Sequence, residues 1–361
     1  MTTINADQLK LLKSLLTVVR KIEAVQLEAS NQKLSIDILT SDYLLTLRTE
    51  ANVDASFSAM VPVTLLGLLA RLSECHLSCD SEVVKVATNQ GSYTFPVYKD
   101  SCESMQDFKL ASSKLPSTLT FPSKVLARVI KTVSKSLAKD VTKLTLTGVS
   151  VKTVEGNLKF ATTDGHRLSS IAVPNPQDLE VDLILPGKTL KPLEQLLKVS
   201  EDVSISFDSV NACITGKNFQ LVTRLLDGTY PNYEILLFLN TSKTLSVYVD
   251  RRTMNVSLKK LAKLADRKNK LVKLDFTDSD LTISLGEKAD CNATETVPVF
   301  HTENSLNTRF CVRFNVQYLI DVFSASDSEK VLMTFKSEKD VAIFTSEDQL
   351  FLVMPYLKPR Q

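Results

Sequence analysis

The chain has 361 residues, of which 43% are hydrophobic and 23% charged, with nine glycines and no tryptophan. That is enough apolar material for two or three folded cores, and it excludes a disordered or low-complexity chain. No apolar run approaches the roughly 18 residues of a membrane span, and Met1-Thr2-Thr3-Ile4 lacks the basic and apolar regions of a leader, so a soluble cytoplasmic protein is expected. Six cysteines then read as reduced thiols; Cys75-x3-Cys79 has no second pair at zinc-ligand spacing, and neither a metal nor a cofactor is expected.

In chain order, apolar residues three or four apart predict helices over residues 6–21, 62–74, 122–139, 186–201, 250–270 and 314–328. Their starts fall 56 to 64 residues apart, the mark of an internal repeat. Pro62, Pro122 and Pro186 stand at the heads of three of them, where a first-turn proline fits, and Asp7 and Asp250 suit a cap or first turn. Between the helices, alternating runs predict half-buried antiparallel strands at residues 34–38, 44–48, 144–147, 203–207 and 281–285. Each repeat therefore reads as one helix followed by three or four strands, an α+β order. So small a sheet buries a helix poorly alone, so units should pair. Six units then give three similar domains, near 1–117, 118–243 and 244–361, with joints at 111–116 and 240–243.

The net charge of +2 hides a separation of signs. The six helical windows sum to +13 and the rest of the chain to −11. The third helix carries Lys124, Arg128, Lys131, Lys135 and Lys139 at spacings of three or four with no acid among them. Like charges so placed repel by a few tenths of a kcal/mol per pair, so a function is the better explanation. The fifth repeats the bias with Arg251, Arg252, Lys259, Lys260, Lys263, Arg267, Lys268 and Lys270. Such a face attracts phosphates without reading bases. Helix-turn-helix spacing, zinc fingers, a basic zipper and aromatic residues interleaved with lysines are all missing from the sequence, so the expected partner is duplex DNA held without sequence preference.

The most specific stretch is Phe160-Ala161-Thr162-Thr163-Asp164-Gly165-His166-Arg167-Leu168. Together with Leu225-Leu226-Asp227-Gly228-Thr229-Tyr230-Pro231-Asn232-Tyr233 and Phe351-Leu352-Val353-Met354-Pro355, it resembles the bacterial DNA polymerase III beta subunit, the sliding clamp family. The order and spacing of the three blocks agree with that family; the N-terminal third matches in layout alone. The resemblance implies a DNA clamp fold in which two copies, a homodimer, close six domains into a ring around duplex DNA, with helices lining the hole. It also implies a processivity factor that docks the replicative polymerase and the clamp loader through short peptides, in a bacterial, nucleoid-associated setting.

Carried over by position, the peptide pocket comprises Leu146, Thr163, Gly165, His166, Arg167, Leu168, Pro231, Leu236, Leu352, Met354 and Pro355. The residues suit that use. Asp164-Gly165 favours a tight turn, leucine and proline supply an apolar floor, and methionine adapts to several peptides. Arg167 is expected to meet a peptide carbonyl or carboxylate. The basic residues expected to face DNA are Arg20, Lys21, Lys124, Arg128, Lys131, Lys135, Lys191, Lys198, Lys259 and Lys263. Subunit contacts are expected on edge strands of the first domain and near residues 264–274. Four departures stand out: Ile235 replaces a basic residue, Lys143 an arginine and Tyr356 a methionine, and Leu357-Lys358-Pro359-Arg360-Gln361 extends the chain. Asp140 also occupies a place where a polar contact to DNA is expected.

Only His76, His166 and His301 are present, none at metal spacing, and the sequence contains no nucleophile elbow, phosphate loop or dinucleotide fingerprint. Asp164 and His166 lack a third catalytic partner in sequence. An enzyme, for example a hydrolase acting on DNA ends, is therefore not expected. The alternative to an encircling clamp is a clamp-like module that docks peptides or coats DNA without closing a ring.

Overall fold

The computed structural model describes residues 2–5, 22–98, 103–113, 115–238, 245–265, 270–277, 279–285, 291–304 and 310–357. The chain forms two compact units, Met1–Ile130 with Asn175–Asp227, and Lys131–Pro174 with Gly228–Gln361. The helix expected over residues 6–21, with Arg20 and Lys21, lies outside the described residues, as does the joint at 240–243.

In the first unit, eight antiparallel strands run in the order Ser117–Pro122, Asp202–Phe207, Asn211–Gly216, Phe219–Arg224, Tyr43–Glu50, Lys33–Leu39, Ala24–Ser30, Phe57–Pro62. Strict alternation explains the strand at Lys33–Leu39. Leu34, Ile36 and Ile38 point into the core, and Ile36 and Ile38 lie opposite Leu47 and Leu45. A second sheet orders Asn52–Val53, Thr2–Asn5, Glu74–Cys79, Val83–Thr88 and Gly91–Pro96.

The three head prolines do not occupy first helical turns. Pro62, Pro122 and Pro186 are the last residues of strands Phe57–Pro62, Ser117–Pro122 and Asp182–Pro186. Lacking an N–H, proline can close a ladder there, and the next elements begin at Thr64, Ser123 and Gly187.

One helix of this unit went unread in the sequence. Glu103–Ser112 carries only a short apolar stripe, Met105 and Phe108, which packs on Leu44, Cys213 and Val222. It overlaps the start of the expected joint at 111–116. Tertiary contact, not periodicity, holds it.

In the second unit, antiparallel neighbours run through Gly148–Val154, Asn157–Thr163, Arg167–Pro174, Gln349–Val353, Ala342–Ser346, Lys330–Phe335, Leu245–Asp250, Thr294–Asn304, Asp280–Leu285, Leu271–Phe276 and Phe310–Asn315. The core is aromatic. Phe276, Phe310, Phe314, Phe323, Phe335 and Phe344 meet with ring centroids 5.2 to 6.5 Å apart, mostly edge-on or tilted.

Two helices cover this core. Arg251–Leu264 buries Met254, Leu258 and Leu261 at the spacing the sequence predicted, and Asp250 caps it by accepting from the Thr253 N–H at 2.7 Å. Val316–Ala325 is capped by Asn315, which accepts from the Gln317 N–H at 2.9 Å. The run at 144–147, expected as a strand, is a 3-10 turn instead. Its alternation reflects one inward leucine, Leu146, against exposed Leu144, and no partner strand pairs with it among the described residues.

Candidate functional site

The expected pocket residues all belong to the second unit. Strands Asn157–Thr163 and Arg167–Pro174 form a hairpin whose turn is built by side chains. Asp164 Oδ1 accepts from the N–H groups of His166 and Arg167 at 2.9 and 3.0 Å. Thr163 Oγ1 donates to the Arg167 carbonyl at 2.7 Å and accepts from the Gly165 N–H at 3.1 Å. Gly165 adopts φ +88°, a conformation that strains any residue with a Cβ. The Thr163-Asp164-Gly165 order thus fixes the turn locally, with Gly165 and His166 exposed at its tip.

The hairpin pairs next with Gln349–Val353, placing Leu168 opposite Leu352 and Arg167 opposite Val353. Leu168, Leu352 and Val341 form a small buried cluster distinct from the aromatic core, with Tyr233 and Ile343 packed against it. Past the strand end, the Met354 N–H donates to the His166 carbonyl at 2.9 Å, fastening the chain beside the turn tip. The segment that follows Gly228 is tied in as well. The Tyr230 hydroxyl accepts from the Thr163 N–H at 2.9 Å. Gly228, at φ +123°, brings the chain so close to Thr145 that an added Cβ would stand 2.8 Å from its methyl. That contact holds the Leu144–Thr147 turn, with buried Leu146, against the Gly228 segment.

The cluster is buried, and the segments that follow Tyr233 and Leu352 in the chain carry exposed apolar residues. Ile235, Leu236, Met354, Tyr356 and Leu357, close in the chain to Tyr233 and Leu352, are all at least 38% exposed, whereas Leu168 and Leu352 are 4 and 2% exposed. Pro231 is exposed and Pro355 half-buried. Exposed apolar groups gathered beside a small buried cluster mark a binding surface more often than a packing fault. Burial pushes the Tyr233 phenol up to about 12 and raises that of Tyr230, so both remain neutral donors at physiological pH.

Arg167 does not present a free guanidinium. Its Nε donates to Asp164 at 3.0 Å, a terminal nitrogen donates to Asp321 at 2.5 Å, and its plane lies 4.4 Å over the Tyr318 ring. Gln317 donates to the other oxygen of Asp321 at 3.0 Å. The Arg167, Asp164 and Asp321 side chains are 13 to 19% exposed. Without a peptide, the Arg167 guanidinium is engaged within the chain. Its charge is already shared between two acids, and its geometry locks the turn to the Val316–Ala325 helix. Val341, Ile343, Tyr318 and Asp321 were absent from the sequence reading; they sit far along the chain with no local motif.

The basic residues follow the helices. Along Ser123–Val133, Leu126, Val129, Ile130 and Val133 are buried while Lys124 and Lys131 are exposed and Arg128 half-buried. Lys135, Lys191, Lys198, Lys259 and Lys263 are exposed. Lys131 pairs with Asp327 at 2.8 Å, and Lys198 donates to Gln195 at 2.8 Å. Asp140 is engaged in its own turn, accepting from the N–H and hydroxyl of Thr142. Among the described residues no three His, Cys, Asp or Glu side chains gather as metal ligands, and no helix is long and apolar enough to cross a membrane.

Residues 120–232 match the family model of the DNA polymerase III beta subunit central domain, and residues 238–355 that of its C-terminal domain. The beta sliding clamp of Synechococcus elongatus is 24% identical over 341 residues, covering 91% of this chain and 89% of that protein. That of Chlamydia muridarum is 25% identical over 354 residues, covering 94% and 92%. Among solved structures, the sliding clamp of Pseudomonas aeruginosa bound to griselimycin superposes with a TM-score of 0.85 at 21% identity, over 99% of this chain and 100% of that one. The Bacillus subtilis clamp gives 0.86 at 16% identity over 99% of each. At these identities the superpositions establish the fold.

Proposed function

This chain belongs to the DNA polymerase III beta subunit family, and on that premise we propose that it is a sliding clamp that encircles duplex DNA as a homodimeric ring and tethers replication proteins. The domains 1–117, 118–243 and 244–361, doubled, would supply the six parts of the ring. Its function is mechanical, not catalytic. Lysines and arginines on the helices hold the phosphate backbone loosely, a charge interaction that lets the clamp slide because no base is read. Polymerase and clamp loader dock by short peptides on the surface between the Thr163–Arg167 turn and the Leu352–Leu357 segment. The protein acts in the cytoplasm, on the nucleoid.

The observation that carries the docking half is the buried Leu168, Leu352 and Val341 cluster, with exposed Met354 fastened beside the turn tip. A peptide that covers exposed apolar residues here removes apolar surface from water, at about 25 cal/mol per Å². Methionine at the edge suits several different peptides. Griselimycin, which the Pseudomonas clamp binds, is a ready probe. It should bind this protein in the micromolar range or better, and Leu168→Ala should weaken it about tenfold or more, the scale of losing one buried anchor. Equal binding by the variant would discredit this surface. Ring closure is read separately, by negative-stain electron microscopy: rings with an open centre are expected, and solid lobed rods would replace the encircling clamp with a non-ring docking module.

A further inference from the structure

The first unit contains a cleft of about 350 Å³ beneath the end of the Glu103–Ser112 helix, on the sheet face turned away from the leucine core. The helix rests on the apolar part of that face through Met105 and Phe108. Strand register sets what remains beside it. Ser35 lies opposite Arg48, Asp37 opposite Thr46, and Thr46 opposite Gln220. Alternation turns these side chains to one face, and all of them line the cleft.

Asp37 is the anomaly. It is 1% exposed, in a strand whose neighbouring positions are leucine and isoleucine. Lys109 reaches its Oδ2 at 2.5 Å, but Oδ1 has no hydrogen-bond partner among the described residues. A buried carboxylate oxygen left without a donor is costly, so a donor arriving through the cleft has that whole penalty to relieve. Two features favour a cationic donor: the Glu28 carboxylate, and the helix C-terminus at Ser112, whose last carbonyls carry partial negative charge. The opposite requirement comes from Arg48. Its guanidinium is steadied by the Gln220 carbonyl at 3.1 Å, and its fork suits a carboxylate.

We propose that this cleft binds a small zwitterion of the amino-acid class, its ammonium donating to Asp37 Oδ1 and its carboxylate meeting Arg48. A nucleic-acid phosphate is disfavoured by Asp37 and Glu28, and an apolar peptide by a lining that is mostly hydroxyl, amide and charge. A bifunctional ligand matches both ends.

The test is saturation-transfer NMR and calorimetric titration of the full chain with glycine, γ-aminobutyrate and ε-aminocaproate, which vary the distance between the two charges. Each is paired with its N-trimethyl analogue, which keeps the charge but has no N–H. At least one parent compound should saturate, and its trimethyl analogue should bind about tenfold more weakly, the scale of one lost charge-assisted hydrogen bond. Arg48→Ala, at an exposed position, should weaken the parent by a similar factor. The trimethyl comparison probes Asp37 without mutating it, so an Asp37→Asn protein that fails to fold does not obstruct the test. Absence of saturation by all three, equal binding of the trimethyl analogues, or indifference to Arg48→Ala would each overturn the proposal.

Discussion

Replacing Arg167 by methionine removes the guanidinium from between Asp164 and Asp321 while keeping most of the stem. The magnitude follows from burial. An exposed ion pair is worth about 0.2–1 kcal/mol, whereas stranding a charge by breaking a buried pair costs about 3–5. Here the participating side chains are 13 to 19% exposed, so water reaches them only partly, and a loss of about 2–3 kcal/mol is expected. The lost stacking on Tyr318 adds about 0.5–1 kcal/mol. Urea unfolding followed by circular dichroism gives the total, and amide hydrogen exchange at Gly165 and His166 locates it at the turn. A second variant, Arg167→Met with Asp321→Leu, isolates the cause. Removing the stranded acid should return about 1 kcal/mol or more, because the penalty belongs to an unpaired carboxylate. A loss below about 0.5 kcal/mol for the single variant, or strictly additive losses in the double, would refute the view that Arg167 is a buried lock.

Three further outcomes follow from the same contacts. Changing Lys124, Arg128 and Lys131 to alanine should weaken DNA retention and lower the slope of log affinity against log salt by up to about 3, close to one per phosphate contact; an unchanged slope would remove these residues from the DNA surface. Gly228→Ala should destabilise the protein by about 1–3 kcal/mol in urea unfolding, because both its φ of +123° and the Thr145 methyl oppose a Cβ; a neutral effect would show that the approach is not needed. Asp250→Ala should cost about 1 kcal/mol at pH 7 through loss of the helix cap. Hydrogen bonds from Thr253 hold the Asp250 carboxyl below its ordinary value. Its contribution is therefore complete above the unfolded value of about 3.9 and fades as pH falls through the lower folded value, where wild type and variant should converge; a gap that persists in acid would assign the cost to something other than the carboxylate.

The sequence by itself determined what depends on neighbours in the chain. Apolar spacing placed the helices at Ser123–Val133, Arg251–Leu264 and Val316–Ala325, and alternation placed the strands at Lys33–Leu39, Tyr43–Glu50, Asp202–Phe207 and Asp280–Leu285. The Thr163-Asp164-Gly165 turn was equally legible, because the bonds that the Thr163 hydroxyl and the Asp164 Oδ1 make to close it reach no farther than Arg167. Tertiary structure decided the rest. The Leu144–Thr147 run alternates like a strand but has no partner strand, so it closes into a turn. Pro122 looked like a helix head and instead ends a strand, since only pairing with Asp202 reveals the ladder it closes. The Glu103–Ser112 helix depends on Leu44, Cys213 and Val222, and the ion pair of its Lys109 with buried Asp37 spans 72 positions. Arg167 illustrates the difference most sharply. Its place in the turn was written locally, but its role was not, because the carboxylate that claims its charge, Asp321, stands 154 residues away. Periodicity and turn chemistry act over a few residues; the partners of a buried charge are chosen only when distant strands and helices come together.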